Sequence, residues 1–289
     1  MMPTAMILGG IFYSFFTRFA FITPYLIFIM LFLTYCNLSI QNIRFTRMHF
    51  WLILIQIIGS LTIYFLLRPL NLVLAQAAMI CVFAPTATSA PVIVRMLKGN
   101  IESLTAYSLL CNTMVAVVAP FVFSFVGSYQ EMPFFESFIL ITQQIVLLLI
   151  APFIFAAVVR KMFPVVKQKT RLFSNISFVL WSFALTVVTA KIVDFILIQD
   201  AENYLLEIII ALCSMLICIT QFLAGRKIGR KYNNTIAGGQ GLGQKNTILA
   251  IWMAQTYLNP IASLGPGTYV LWQNIANSYQ VWRKRKKLE

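Results

Sequence analysis

Residues 238–247 read GGQGLGQKNT, inside an apolar run with TIA before it and ILAIWMA after it. Four glycines in six residues weaken a helix, since each costs roughly 1 kcal/mol relative to alanine. Lys245 then sets an ammonium near the middle of the run. A charge at the centre of a membrane helix costs roughly 2.5–3.5 kcal/mol on insertion scales. Irregular backbone at that depth is tolerated only where protein or a water-filled cavity surrounds it. The stretch therefore predicts an interrupted membrane helix with a polar break.

Composition makes the surrounding solvent lipid. The chain has 289 residues, 60% hydrophobic and 10% charged, where soluble domains carry about 25% charge. The apolar runs lack period-two alternation, so the class is an all-α polytopic membrane protein. Ten transmembrane helices are expected, at 3–17, 20–37, 49–67, 71–94, 102–127, 134–159, 172–193, 203–224, 234–257 and 260–282. The first is short for a bilayer, but Arg18 follows it instead of preceding it, which argues against a signal peptide. Cys36, Cys81, Cys111, Cys213 and Cys218 lie in apolar runs without paired spacing, so they read as small core residues with no metal or disulfide role. His49, Trp51, Trp272 and Trp282 are expected near span ends, as interfacial residues, with Trp272 the deeper of them.

Charge orients the spans. The connections after spans two, four, six and eight, with the tail 283–289, hold 18 of the 22 Lys and Arg residues. The positive-inside rule assigns that side and the C-terminus to the cytoplasm. A multi-pass protein of a bacterial inner membrane is expected. The formal net charge of +14 is thus a topology signal, with the lipid bilayer as partner and no nucleic acid.

A second interruption falls in span four, CVFAPTATSAPVIV at 81–94, where Pro85 and Pro91 each remove a backbone donor. Thr86, Thr88 and Ser89 between them offer hydroxyls to freed carbonyls or to a cavity. Divided after Gly127, the chain becomes two five-span halves, 1–127 and 128–282, each broken in its fourth span. An odd span count inverts the second half. Matching interruptions in inverted repeats point to a transporter's midplane site.

Two stretches carry a family resemblance. NTIAGGQGLGQKNTILAIWMAQTYLNPIASLGPGTYVLWQNIANSYQVW (234–282) and APTATSAPVIVRMLKGN (84–100) resemble the bile acid:sodium symporter family. The resemblance implies a panel domain and a core domain, with broken helices four and nine crossing in the core, and transport of organic anions with sodium. It also marks departures. The family's sodium-binding glutamate and the glutamine four residues on read here as Gln240 and Gln244, and its following asparagine as Lys245. A Ser-Asn pair becomes Ala90 and Pro91, two hydroxyl ligands align with Leu104 and Ser108, and a helix-three glutamine survives as Gln56.

These departures predict that the Lys245 ammonium stands in for sodium, donating to carbonyls and amide oxygens at the crossing, with Gln56, Ser108, Gln240 and Gln244 around it. Lys245 also offers a site that protons can load. The expected function is secondary-active transport of a small organic anion, lined by Thr86, Thr88, Ser89, Asn112, Gln240, Gln244 and Asn246. Sodium-coupled symport and a transport-inactive receptor or scaffold are the alternatives. No cofactor, metal motif or catalytic motif is read; a Ser89–Lys245 dyad is the nearest approach to enzyme chemistry.

Overall fold

The computed structural model describes residues 2–36, 44–127, 133–163, 170–198 and 204–286. The predicted boundary at 128 and the last residues of the tail lie outside them. Among the described residues the secondary structure is helical, with one isolated bridge between Thr86 and Lys245. The helices are α1 (Met2–Ile11), α2 (Tyr13–Phe16), α3 (Thr23–Cys36), α4 (Arg47–Leu67), α5 (Leu72–Phe83), α6 (Ala90–Met96) and α7 (Ile101–Val126). They continue as α8 (Phe134–Ile145), α9 (Ala151–Met162), α10 (Thr170–Ile198), α11 (Tyr204–Lys231), α12 (Thr235–Gly243), α13 (Thr247–Tyr257) and α14 (Leu264–Lys286).

Among the described residues, six helical stretches are long and apolar enough to cross a membrane: Tyr13–Cys36, Arg47–Leu67, Ile101–Val126, Phe134–Met162, Asn175–Asp194 and Tyr204–Lys231. Large exposed apolar side chains such as Phe125, Leu147, Val179, Leu205 and Leu223 cover them, as a lipid-facing surface requires. These features make the chain an integral membrane protein.

The N-terminal boundaries differ from expectation. Spans were predicted at 3–17 and 20–37, but the helix is interrupted at Phe12 and then runs through a 3-10 stretch, Thr17–Ile22, to Cys36. Thr17 donates its hydroxyl to the Tyr13 carbonyl (2.8 Å), so the chain stays coiled past Arg18. The ten residues of α1 rise about 15 Å, half the ~30 Å hydrocarbon thickness.

The chain forms two compact units. One comprises Met1–Ser39, Ala116–Glu202 and Ile251–Ile261. In it α1 lies on α10, with Gly9 against the Thr186 carbonyl, and Phe16 and Phe19 meet the Phe183 ring. The Tyr257 hydroxyl donates to Gln144 (2.8 Å). The other comprises Ile40–Val115, Asn203–Ala250 and Ala262–Glu289. It holds α4, α5, α6, α11, α12 and α14 around cores such as Ala78, Val82, Ile217, Phe222 and Tyr269.

Local chemistry sets the ends of its helices. Asn71 caps α5 by accepting from the Leu74 amide (2.9 Å). Pro85 stops α5 by forcing Ala84 into an extended conformation (φ −50°, ψ 139°). Pro91 ends nothing: it sits in the first turn of α6, where a missing N–H costs no hydrogen bond. His49, in the first turn of α4, does not lie at the protein surface. It is fully buried, its Nδ1 accepts from the Thr46 amide (3.2 Å), and its Nε2 lies 3.0 Å from the Ser103 hydroxyl. With Nδ1 accepting, Nε2 carries the proton and Ser103 accepts.

Candidate functional site

Both predicted interruptions lie in the second unit, and there they meet. Pro85–Ala87 and Gln244–Asn246 run antiparallel: the Ala87 amide donates to the Gln244 carbonyl (2.9 Å), and the Asn246 amide to the Pro85 carbonyl (2.8 Å). Two pieces of unwound chain thus satisfy part of each other's backbone, as burial demands.

The C-terminal ends of α5 and α12 both lead into this bridge, and such ends carry orphan carbonyls and partial negative charge. Side chains complete them. On α5, Cys81 O accepts from Gln221 (3.1 Å), Val82 O from the Lys245 ammonium (2.8 Å), and Phe83 O and Ala84 O from the Gln56 amide (2.8 and 3.1 Å). On α12, Gly241 O accepts from Thr86 (2.8 Å) and Gly243 O from Tyr269 (2.8 Å). The arrangement is reciprocal. Thr86 of the first break caps the helix that leads to the second, and Lys245 of the second caps the helix that leads to the first.

Lys245 is 1% exposed, and no Asp or Glu is buried among the described residues. Its backbone amide donates to Gln273 Oε1 (2.9 Å), and among the described residues the Val82 carbonyl is the one hydrogen-bond partner of its ammonium. The positive charge is therefore matched by a helix end and not by an acid. The expected bonds from Lys245 to amide oxygens are not formed. Gln240 Oε1 and Gln244 Oε1 are buried without a partner, as is Asn112 Oδ1. Their amide nitrogens are engaged elsewhere: Gln240 Nε2 donates to Asn277 (2.9 Å) and Gln280 (3.2 Å), Gln244 Nε2 to Ser89 Oγ (3.0 Å), and Asn112 Nδ2 to the Ser108 carbonyl (2.7 Å). Gln56 is fully engaged, because its Oε1 accepts from Tyr107 (2.8 Å) and Cys111 (3.2 Å).

Of the remaining predicted residues, Asn246 caps α13 through the Leu249 amide (3.3 Å), Thr88 is half-buried and Ser89 is exposed. Thr88, Ser89 and the half-buried Ser108 are thus the predicted hydroxyls with exposed surface. Ser89 accepts from Gln244 and has no bond to Lys245, so the Ser–Lys pair is not formed.

The glycines are packing positions. The helix does not break across them; it runs through Gly243 and unwinds only at Gln244 (ψ 106°). A Cβ on Gly238 would strike the Gly225 carbonyl, and on Gly241 would come within 2.7 Å of the Tyr107 ring. The glycines let α12 lie against α11 and α7. Reading along the chain also missed Gln221, Tyr269, Asn277 and Gln280. Their signal was polarity in apolar helices, which names a buried residue but not its partner.

No protein-family model matches this chain, and the comparison with curated proteins finds no match.

Proposed function

We propose that the protein is a secondary-active transporter that carries a small organic anion by alternating access without sodium, Lys245 supplying the fixed positive charge of its site. The observation behind this reading is a buried ammonium at the paired breaks, with no buried acid among the described residues. A buried charge without a counter-ion costs several kcal/mol. An anion bound beside Lys245, reached past Thr88 and Ser89, offsets that cost in the loaded state. Ten spans in two inverted repeats, a panel and a core, and a basic side facing the cytoplasm of a bacterial inner membrane belong to the same proposal. It is supported by interruptions that pair across 155 residues of sequence within one unit.

One observation favours sodium-coupled symport instead. The free oxygens of Gln240, Gln244 and Asn112 are the hard donors that such an ion requires. Thermal unfolding of purified protein, with sodium chloride exchanged for choline chloride, separates the two. A ligand at 100 times its dissociation constant stabilises by roughly 2.7 kcal/mol. Stabilisation specific to sodium overturns the sodium-independent reading. Uptake of organic anions into proteoliposomes then tests the lysine: Lys245→Ala should abolish saturable uptake. Uptake at the wild-type rate in that variant rejects the role of Lys245, and no saturable uptake by the wild type selects a receptor or scaffold.

A further inference from the structure

The cationic ends of α11 and α14 form a charged surface that the transport reading does not use. The two helices run parallel, since the bonds Ser214–Thr268 (2.7 Å) and Arg226–Gln280 (3.1 Å) climb both in the same direction. Their C-termini therefore emerge together. Arg226, Lys227, Arg230 and Lys231 end one helix; Arg283, Lys284 and Lys286 end the other. Arg226 donates to Gln280, three residues before Arg283. α14 contains no acid, and the one acid of α11, Glu207, is in its first turn. Like charges gathered this way disfavour the fold unless anions screen them.

What lies below the cations identifies the anion. On α11, Leu216, Ile219 and Leu223 are exposed at helical spacing, and the same face continues into Lys227 and Arg230. On α14, Leu271 and Ile275 are exposed, followed by Tyr279 and Trp282, each 56% exposed. Lys286 Nζ sits 5.5 Å from the Trp282 ring centre. Each helix thus presents one outward face that changes from aliphatic to cationic, and on α14 Tyr279 and Trp282 mark the change. Aromatic side chains of this kind favour the headgroup level of a bilayer. A nucleic acid or an acidic protein would match the charges and leave the aliphatic faces unexplained.

We infer that the C-terminal ends of α11 and α14 bind anionic phospholipid, acyl chains along the aliphatic faces and the headgroup phosphate among Lys227, Arg230, Arg283 and Lys286. This site is independent of the proposed transport activity, and its test reads no transport.

The test is thermal stabilisation of the purified protein in detergent, titrated with phosphatidylglycerol, with phosphatidylcholine of the same chains, and with inorganic phosphate. Phosphatidylglycerol should stabilise saturably and the other two should not. A surface cation is worth roughly fivefold in binding to anionic lipid. The combined variant Lys227→Gln, Arg283→Gln, Lys286→Gln should therefore shift half-saturation on the order of 100-fold. The variant Arg95→Gln, Lys98→Gln, which removes cations elsewhere, should leave it unchanged. Equal effects of the two lipids, full effect of phosphate alone, or an equal loss in the Arg95/Lys98 variant would overturn the inference.

Discussion

Gly238→Ala should destabilise the protein although alanine is the better helix former. Within a helix the exchange is worth roughly 1 kcal/mol in favour of alanine. At Gly238, however, the new methyl would lie 2.9 Å from the Gly229 Cα and closer still to the Gly225 carbonyl oxygen. Carbon pairs prefer about 3.5–4.0 Å, so α12 must retreat from α11 by roughly 0.5–1 Å. Both obstructing groups are backbone, and no rotamer change relieves them. Overpacking of this kind costs about 1–3 kcal/mol. The retreat would also stretch the Thr86–Gly241 and Tyr269–Gly243 bonds, which hold the end of the same helix. The net expectation is a loss of about 1–3 kcal/mol. Gly59→Ala is the counterpart: its methyl meets only the Val82 Cγ1 at 3.8 Å, and the gain of roughly 0.4–1 kcal/mol should appear undiminished. Reversible unfolding in mixed micelles measures both. If Gly238→Ala is as stable as Gly59→Ala, the glycines are not spacers between α11 and α12.

Other residues of the second unit give sharper single-bond tests. Thr86→Val keeps the shape but strands the Gly241 carbonyl; a loss of about 1–3 kcal/mol is expected, against under about 0.5 kcal/mol for Thr113→Val on an exposed surface. Tyr107→Phe removes the donor to Gln56 Oε1 and should lower stability by about 0.5–1.5 kcal/mol, measured by the same unfolding assay. His49→Phe deletes both the acceptor for the Thr46 amide and the donor to Ser103; amide exchange at the start of α4 should quicken, and unchanged protection there would show that the imidazole is not a cap.

Sequence alone settled what is local. The length and apolarity of the runs determined a helical membrane protein, because unpaired backbone groups are intolerable in hydrocarbon. Pro85 determined the end of α5, because a proline acts on the residue before it. The odd lysine, the amides and the second interruption were legible as polar residues in the wrong solvent. Their partners were not. Nothing near Lys245 in the chain says that it donates to Val82, or that Gln56 completes the same helix end. The glycines read as a break and serve as a packing face, since what a missing Cβ makes room for is decided by Gly225, Gly229, Phe222 and Tyr107 on other helices. His49 read as interfacial and is buried, since Ser103 supplies its partner from α7. Helix formation and hydrophobicity are properties of a segment. Which buried polar group satisfies which is a property of the distances between segments, and only the tertiary structure decided it.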